Sequence, residues 1–256
     1  MESQATYVDF GDVVDVTPAI GAPQVVVVCE HSSNRMPAGL DDLGLSGDAL
    51  TSHVAWDPGA LGVAQGLAGH LNAVLVSGGV SRLVYDCNRP PEADSAVPAR
   101  SEVHDIPGNR SLSKAARAER VSGVYEPFRK TLAEQINRHR ASLGLMVTVH
   151  SFTPVYNGQP REVEIGLLHG RDTRFCRAML ANTPDDIGHN VRLNEPYAAV
   201  DGVAHTLDEH GAANDLQNVM IEIRNDLIQR PEQQAGMAIL LADWISNTRR
   251  ATEPET

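Results

Sequence analysis

The sequence lacks the features that mark several common protein classes. Its 256 residues include only three cysteines, Cys29, Cys87 and Cys176, which are widely spaced and form no C-x-x-C pair. This pattern argues against both a disulfide framework and a cysteine zinc site. No apolar run approaches the roughly 20 residues that a membrane-spanning helix needs, and the acidic N-terminus has no basic and apolar signal segment. We therefore expect a cytoplasmic protein with no membrane partner.

Positive charge is also scarce. The chain has 21 lysines and arginines against 33 aspartates and glutamates, a net charge of −12. Because binding to nucleic acid depends on neutralising phosphates, we expect no nucleic-acid partner. A small anionic ligand is compatible with this charge if a few arginines cluster locally. The oligomeric state stays open between a monomer and a homo-oligomer.

Strand and helix patterns alternate along the chain. Strands are predicted at 24–29, 73–77, 143–150, 163–170 and 218–224, and residues 81–91 are predicted to be a short strand that leaves into a Pro-rich loop reaching about residue 110. Helices are predicted at 57–72 with Asp57 as N-cap, from Ser111 or Ser113 onward, and at about 231–248. This alternation predicts an α/β fold with a mostly parallel sheet between helix layers. We expect a single domain over residues 1–256, with about 20 N-terminal and about 8 C-terminal residues as loose tails.

Ionisable residues stand at the ends of three predicted strands. VVVVCEH ends on His31, LGLMVTVH ends on His150, and NVMIEIR contains Glu222, while Asp57 follows HVAW. In parallel sheets the ligand site lies beyond the carboxyl ends of the strands. Two histidines and a carboxylate are typical of a catalytic zinc site, and a further carboxylate can serve as general base. We predict that His31, Asp57 and His150 bind one Zn²⁺ per chain, with another divalent metal as the alternative, and that Glu222 performs acid–base catalysis.

Each of these assignments has an alternative. A histidine after a strand could be a core or capping residue, and Asp57 could simply cap the following helix. Glu222 could pair with Arg224 within its strand. His53 and Glu30 are rival metal ligands, or one of them could orient a ligand histidine through its other ring nitrogen.

Arginines near the predicted site suit an anionic substrate. SRLVYDCNR contains Arg82, Asp86 and Arg89, and Arg82 could instead form a structural ion pair with Asp86. A free guanidinium fits a carboxylate well, so these arginines are candidates for binding an anionic substrate. We also predict catalytic roles for Arg82 and Arg89 at the substrate. The further candidate substrate-binding residues are Arg161, Asn194, Tyr197, Asn88, Ser151 and His210. The polar loop around Asn194 and Tyr197 could equally be a plain surface loop.

Seven stretches in order resemble the N-formylglutamate amidohydrolase family. They are CEHSSNRMP, HVAWDPGA, SRLVYDCNRP, VTVHSFTPVYNG, REVEIGLL, NEPY and IEIRNDLI, and they span roughly residues 24–230. The resemblance implies a metal-dependent hydrolase. It also implies a three-layer α/β/α sandwich of the zinc-carboxypeptidase (phosphorylase/hydrolase-like) type, with zinc at the strand ends. By this resemblance His31 and His150 are metal ligands and Glu222 is the catalytic carboxylate.

Two of these stretches differ from the branch of the family best known from histidine degradation. That branch looks like P-H-S-G in the first motif and T-D-W-H in the second. Setting HVAWDPGA against the second motif places Asp57 where that branch has a histidine, which favours Asp57 over His53 as a ligand. The first motif here has Glu30 and SSN instead of proline and glycine, so the chain resembles a sister branch.

The resemblance implies hydrolysis of the amide bond of a small anionic N-acyl amino acid, as in amino-acid catabolism. N-formyl-L-glutamate, cleaved to formate and L-glutamate, is the first candidate. One alternative is a carboxypeptidase-like or peptidoglycan-amidase-like hydrolase of a larger N-acyl or peptide substrate. Another is a non-catalytic protein that binds a metal or ligand on the same fold.

Overall fold

A seven-stranded sheet forms the centre of the computed structural model, which describes residues 8–252. The strands in chain order are β1 (Val14–Thr17), β2 (Val25–Cys29), β3 (Val74–Gly78), β4 (Arg100–Ser101), β5 (His104–Asp105), β6 (Leu145–Phe152), β7 (Val155–Tyr156), β8 (Gln159–Pro160), β9 (Ile165–Leu168), β10 (Val191–Leu193) and β11 (Gln217–Arg224). The sheet has the order β1-β3-β2-β6-β11-β9-β10, while β4–β5 and β7–β8 form two small hairpins.

The four central strands β3, β2, β6 and β11 are parallel to one another. At one edge β1 is antiparallel to β3, and at the other β9 is antiparallel to β11 and parallel to β10. The carboxyl ends of the four central strands therefore meet at one edge of the sheet. The mostly parallel sheet that the alternating pattern predicted is confirmed.

Helices cover both faces of this sheet. They are α1 (Gly47–Thr51), α2 (Ala60–Leu71), α3 (Lys114–Arg120), α4 (Glu126–Arg138), α5 (Arg174–Ala181) and α6 (Pro231–Thr252), and a π-helical turn, Val121–Tyr125, joins α3 to α4. Helices α2, α5 and α6 pack against one face and α4 against the other.

Strand β2 shows why its sequence is so apolar. Val25 and Val27 face the core under α2 and α6, whereas Val26 and Val28 face the core under α4. Successive strand residues point to opposite faces, so a strand covered on both sides reads as a continuous apolar run. The three-layer α/β/α sandwich is confirmed.

Two local predictions are wrong. Residues 81–91 form buried turns instead of a strand, because their backbone groups bind loops: the N–H of Arg82 donates to the carbonyl of Ala55. Asp57 is not the N-cap of its helix, which begins at Ala60 after Gly59 in a left-handed conformation (φ 82°). The Asp57 carboxylate is thereby free to contact side chains from other elements.

The chain ends are more ordered than the predicted loose tails. Strand β1 pairs with β3, and Phe10 and Val13 are buried. Helix α6 extends to Thr252, four residues beyond its predicted end at 248. The rest of the predicted tails, residues 1–7 and 253–256, lies outside the described residues. Among residues 8–252, no helix is both long and apolar enough to cross a bilayer.

Candidate metal centre

Three potential ligand atoms converge at the carboxyl edge of the central strands. His31 follows β2, His150 lies in the neighbouring strand β6, and Asp57 precedes α2. The Nδ1 atoms of the two histidines are 3.2 Å apart, and Asp57 Oδ2 lies 3.3 Å from His31 Nδ1 and 2.9 Å from His150 Nδ1. The backbone N–H of Asp57 donates to the carbonyl of His31 at 2.9 Å, which holds its loop against the end of β2.

This donor set fits a small divalent cation. Zinc binds imidazole nitrogen and carboxylate oxygen at about 2.0–2.2 Å in a tetrahedral arrangement, which separates ligand atoms by about 3.3 Å. The observed separations of 2.9–3.3 Å are close to that value. Two ring nitrogens that face each other at this distance need a proton or a cation between their lone pairs. His31, Asp57 and His150 therefore form a site that could hold one metal ion.

The other ring nitrogen of each histidine faces a buried carboxylate. His31 Nε2 lies 2.7 Å from Asp86 Oδ1, and His150 Nε2 lies 3.2 Å from Glu30 Oε2. Carboxylates at this position orient metal-binding imidazoles and increase their basicity. The sequence suggested Glu30 as a rival ligand or an orienting residue, and the structure places it behind His150. The ion pair between Arg82 and Asp86, which was one of the alternatives, is present, whereas the contact of Asp86 with His31 was not predicted.

The second rival ligand, His53, does not join the group of ligand atoms. Its Nε2 lies 3.1 Å from Glu102 Oε1, on the wall of the cavity described below. The geometry therefore groups Asp57, rather than His53 or Glu30, with the two histidines.

Electrostatics at the centre favour a cation. Although burial alone would raise it, the pKa of Asp57 is held well below its usual range by His31, His150 and Arg82. Burial alone would lower the pKa of His150, but the carboxylates of Glu30 and Asp57 raise it well above its usual value. The raised pKa of His150 reflects the negative potential of the buried carboxylates, and the lowered pKa of Asp57 keeps that carboxylate ionised, as a metal ligand must be.

Glu222 lies beside this group on β11, in register with His150 on β6. Its Oε2 is buried and accepts no hydrogen bond from the described part of the chain. Burial, assisted by the charge of Asp57, raises the pKa of Glu222 to about 7. A dication at the neighbouring ligand atoms would oppose this shift, because positive charge favours the ionised carboxylate. A carboxylate so placed can accept and return a proton.

A cavity of about 850 Å³ opens onto the centre. His31, Asp57, His150 and Glu222 all line it, together with the four arginines Arg82, Arg89, Arg161 and Arg192. Its volume lies in the upper part of the range that encloses drug-sized ligands. The candidate metal centre is therefore accessible to a ligand.

The three predicted arginines differ in their partners. Arg82 contacts two carboxylates, Asp57 at 3.3 Å and Asp86 at 2.9 Å. Arg89 is buried, and its Nη1 donates to the carbonyl of Asn88, while its Nε has no hydrogen-bond partner in the described part of the chain. Within residues 8–252, no carboxylate lies within 4.0 Å of the guanidinium nitrogens of Arg89 or Arg161. The charge of Arg82 is thus compensated, whereas Arg89 and Arg161 retain the capacity to bind an anion.

Besides Arg161, the predicted substrate-binding residues that reach the cavity are Tyr197, Ser151 and Asn88. The Tyr197 hydroxyl accepts from Arg161 Nη2 at 3.2 Å. The other two have protein partners: Ser151 Oγ donates to the Pro58 carbonyl at 2.9 Å, and the Asn88 amide binds the backbone of residues 203 and 206. The side chains of Ser151 and Asn88 therefore stabilise the walls of the cavity through hydrogen bonds to the backbone.

Asn194 and His210 do not line the cavity. Asn194 follows β10, which runs antiparallel to β11, and its amide contacts the ring of His169 at 3.1 Å. His210 is buried in the π-helical turn Leu207–Gly211, where burial lowers its pKa to about 4. The expectation that these two residues contact substrate is not supported by their positions.

The sequence model of the N-formylglutamate amidohydrolase family matches residues 23–229. The chain belongs to this family. The resemblance noted from the seven stretches is thus confirmed. An amidohydrolase is a hydrolase that cleaves amide bonds. Comparison with curated protein sequences gives no significant match.

Two solved structures illustrate the relationship within this family's fold. The chain is 48% identical to the gene product Atu2144 from Agrobacterium tumefaciens, with a TM-score of 0.92 over 95% of this chain and 97% of that one. It is 18% identical to the N-formylglutamate amidohydrolase from Ralstonia eutropha JMP134, with a TM-score of 0.63 over 94% of this chain and 99% of that one. The second likeness shows that the fold is shared despite low identity.

Proposed function

We propose that the protein is a metal-dependent amidohydrolase that cleaves the amide bond of a small anionic N-acyl amino acid. N-formyl-L-glutamate, giving formate and L-glutamate, is the first candidate substrate, and one Zn²⁺ per chain is the proposed cofactor. The proposal is carried by the convergence of His31, Asp57 and His150 beside Glu222, whose buried Oε2 has no hydrogen-bond partner among residues 8–252. Membership of the family supports it.

Zinc, when bound by His31, Asp57 and His150, would supply Lewis-acid polarisation of the substrate carbonyl and lower the pKa of water. Glu222 takes a proton at Oε2 from the attacking water as the water oxygen bonds to the acyl carbon. It then gives that proton to the amide nitrogen as the C–N bond breaks. The same carboxylate thus acts first as base and then as acid.

Two arginines that line the cavity together with Glu222 have different proposed roles. Arg82 holds both Asp57 and Asp86, so it keeps one ligand carboxylate and one histidine partner in place. Arg89 is buried at the cavity without a carboxylate partner among the described residues, and we assign it to the α-carboxylate of the substrate. A buried guanidinium gains most from such a pair, because its charge is otherwise uncompensated.

The cavity volume keeps a second candidate open. At about 850 Å³ it exceeds what a formyl amino acid fills. A hydrolase of a larger N-acyl or peptide substrate would use the same ligand residues and the same carboxylate. The two candidate functions differ in the size of the substrate and share the hydrolysis of an amide bond.

The first test measures metal content by mass spectrometry on protein purified without added metal, with formate release from N-formyl-L-glutamate assayed on the same sample. We expect about one zinc per chain and formate release that a chelator abolishes. Zinc without formate would exclude this substrate and direct the search to larger N-acyl compounds. Ligand-dependent thermal stabilisation without turnover of any such compound would favour a binding protein. A chain that neither contains nor responds to zinc would contradict the proposal.

A further inference from the structure

Arg161 is held at the cavity wall in an unusual manner. Its guanidinium carbon lies 4.6 Å from the ring centroid of Tyr156, 4.9 Å from that of Tyr197 and 5.4 Å from that of Phe152. These rings come from the β7–β8 hairpin, the loop after β10 and the end of β6. Aromatic faces attract a guanidinium and exclude water from it, so three separate elements fix the position of this cation.

The backbone of Arg161 is also fixed. Its N–H donates to the carbonyl of Pro154 at 2.8 Å, and its own carbonyl accepts from Arg224 Nη1 at 3.2 Å. Arg224 itself is paired with Glu164 and Asp226. Arg161 is therefore preorganised before any ligand arrives, which lowers the entropic cost of binding.

The hydrogen bonds of the Arg161 guanidinium leave part of its capacity unused. A guanidinium has five N–H donors. Here Nη1 donates to the Thr153 carbonyl at 3.3 Å and Nη2 to the Tyr197 hydroxyl at 3.2 Å. No carboxylate of residues 8–252 lies within 4.0 Å of it, although Glu162 and Glu195 line the same cavity. The remaining N–H groups are available to a ligand that carries its own negative charge.

Tyr197 connects this cation to the candidate reaction centre. Its hydroxyl accepts from Arg161, and it lines the cavity together with Glu222 and Arg82. A substrate whose α-carboxylate is bound by Arg89 and whose amide lies beside Glu222 extends its side chain along the same cavity. The second anionic group of such a substrate requires a second cation, and Arg82 is already engaged by two aspartates.

We propose that Arg161, enclosed by Phe152, Tyr156 and Tyr197, binds the side-chain carboxylate of the substrate and makes the enzyme specific for acidic N-acyl amino acids. This inference rests on the proposed function. The planar fork of an arginine matches a carboxylate in two parallel hydrogen bonds. A neutral amide in that position presents an NH₂ group to the guanidinium N–H groups, so glutamine analogues are rejected. Arg161 is then a determinant of specificity, separate from the groups that perform hydrolysis.

The test compares two pairs of compounds that differ only by a carboxylate or an amide in the side chain. Formate release is measured from N-formyl-L-glutamate and N-formyl-L-glutamine, and binding of glutarate and its monoamide is measured by calorimetry on the zinc-loaded protein. The variants are Arg161→Gln, Arg161→Lys and, as a matched control on the same cavity, Arg192→Gln. Zinc content and melting temperature are recorded for each.

We expect wild type and Arg192→Gln to prefer the acid over the amide by on the order of 10- to 100-fold in kcat/KM and in affinity, the equivalent of one charge-assisted hydrogen bond. Arg161→Gln should lose this preference mainly through KM, with the amide compounds and zinc content unchanged. Arg161→Lys should retain part of it, because a point charge remains without the planar fork.

Three results would overturn the inference. If Arg161→Gln lowers kcat/KM and affinity equally for the acid and the amide compounds, Arg161 only holds the β7–β8 hairpin against the loop after β10. Loss of the preference in Arg192→Gln with no change in Arg161→Gln would place the second anion elsewhere. No preference in wild type would remove the subsite. If no formate is released but calorimetry shows an Arg161-dependent preference for glutarate, the subsite stands and the proposed hydrolysis fails.

Discussion

Two sets of charged residues face the same cavity and are held in opposite ways. At the candidate metal centre, His31, His150 and Asp57 stand at the ends of buried elements, with opposite charges within 3.3 Å. On the outer wall, Arg161 is held by aromatic rings on a two-stranded hairpin and a loop. The difference teaches that the groups proposed for chemistry are fixed by the sheet, whereas those proposed for recognition are carried by loops on that scaffold. Substitutions should separate the two sets.

The largest effect is expected from breaking the metal centre. His150→Ala should lose bound zinc and reduce turnover by more than about 1,000-fold, because two ligand atoms cannot hold the ion that the chemistry requires. His53→Ala is the matched control: it lies on the same cavity but outside the ligand group, and it should retain about one zinc. Metal content by mass spectrometry shows which of the two histidines binds zinc. Loss of zinc in His53→Ala with retention in His150→Ala would reverse the ligand assignment.

Glu222→Gln should separate chemistry from metal binding. Glutamine has nearly the same shape as glutamate, so zinc content should be unchanged. It cannot accept the proton from water, so kcat should fall on the order of 100-fold or more. The check is kcat with metal content on one preparation, and Glu162→Gln, on the same cavity, serves as control. Near-normal turnover in Glu222→Gln would exclude this residue from the mechanism.

A smaller effect, on zinc affinity, is expected from the carboxylates that contact the second ring nitrogen of each ligand histidine. Asp86→Asn and Glu30→Gln each weaken a partner of a ligand imidazole, and each should reduce zinc affinity by about 10- to 100-fold. Competition against a chelator of known affinity measures this change. Glu102→Gln, whose partner His53 lies outside the ligand group, should leave affinity unchanged. If all three variants bind zinc like wild type, the two carboxylates do not support the ligands.

The smallest effect on the site is expected from His210, which is buried away from the cavity. Burial and the nearby charges of Arg129 and His205 lower its pKa from 6.5 to about 4, against the opposing charge of Glu30. Between these values the unfolded chain binds a proton that the folded chain excludes. Stability is therefore complete above about pH 6.5 and falls as the pH drops towards 4, by on the order of 2–3 kcal/mol.

Denaturant unfolding of wild type and His210→Gln across this pH range tests the assignment. The variant should lose this part of the pH dependence while its turnover stays within about twofold of wild type. Replacement of the exposed His70 by Gln is the control and should leave the pH dependence intact. A pH dependence that is identical in wild type and His210→Gln would show that other groups cause the acid sensitivity.

The sequence was informative wherever a strand pattern ended on a functional residue. The apolar runs before His31 and His150 predicted both their strands and the edge at which they meet. Asp57 was assigned to the metal although the local pattern also pointed to a helix cap, and the family resemblance then favoured it over His53. Asp86 was missed as a partner of His31 because the two residues are 55 positions apart and meet only through tertiary packing, which a local pattern does not describe.

The predictions for Asn194 and His210 were based on a polar loop, because such loops often line active sites. Asn194 instead follows β10, which runs antiparallel to β11, and His210 is buried in the π-helical turn Leu207–Gly211, so neither residue lines the cavity. Strand direction in a mixed sheet is set by how helices and loops pack, which local composition does not encode. The aromatic neighbours of Arg161 were likewise missed, since they come from three separate elements.

The separation of His31 from His150 along the chain also governs how the protein folds. The two histidines are 119 residues apart and become neighbours only when β2 and β6 pair in parallel. Closing so long a loop carries an entropic cost before any contact offsets it. The centre is therefore complete only once β2 and β6 have paired. A cation that requires it stabilises the finished sheet by mass action and gives no help in nucleating it.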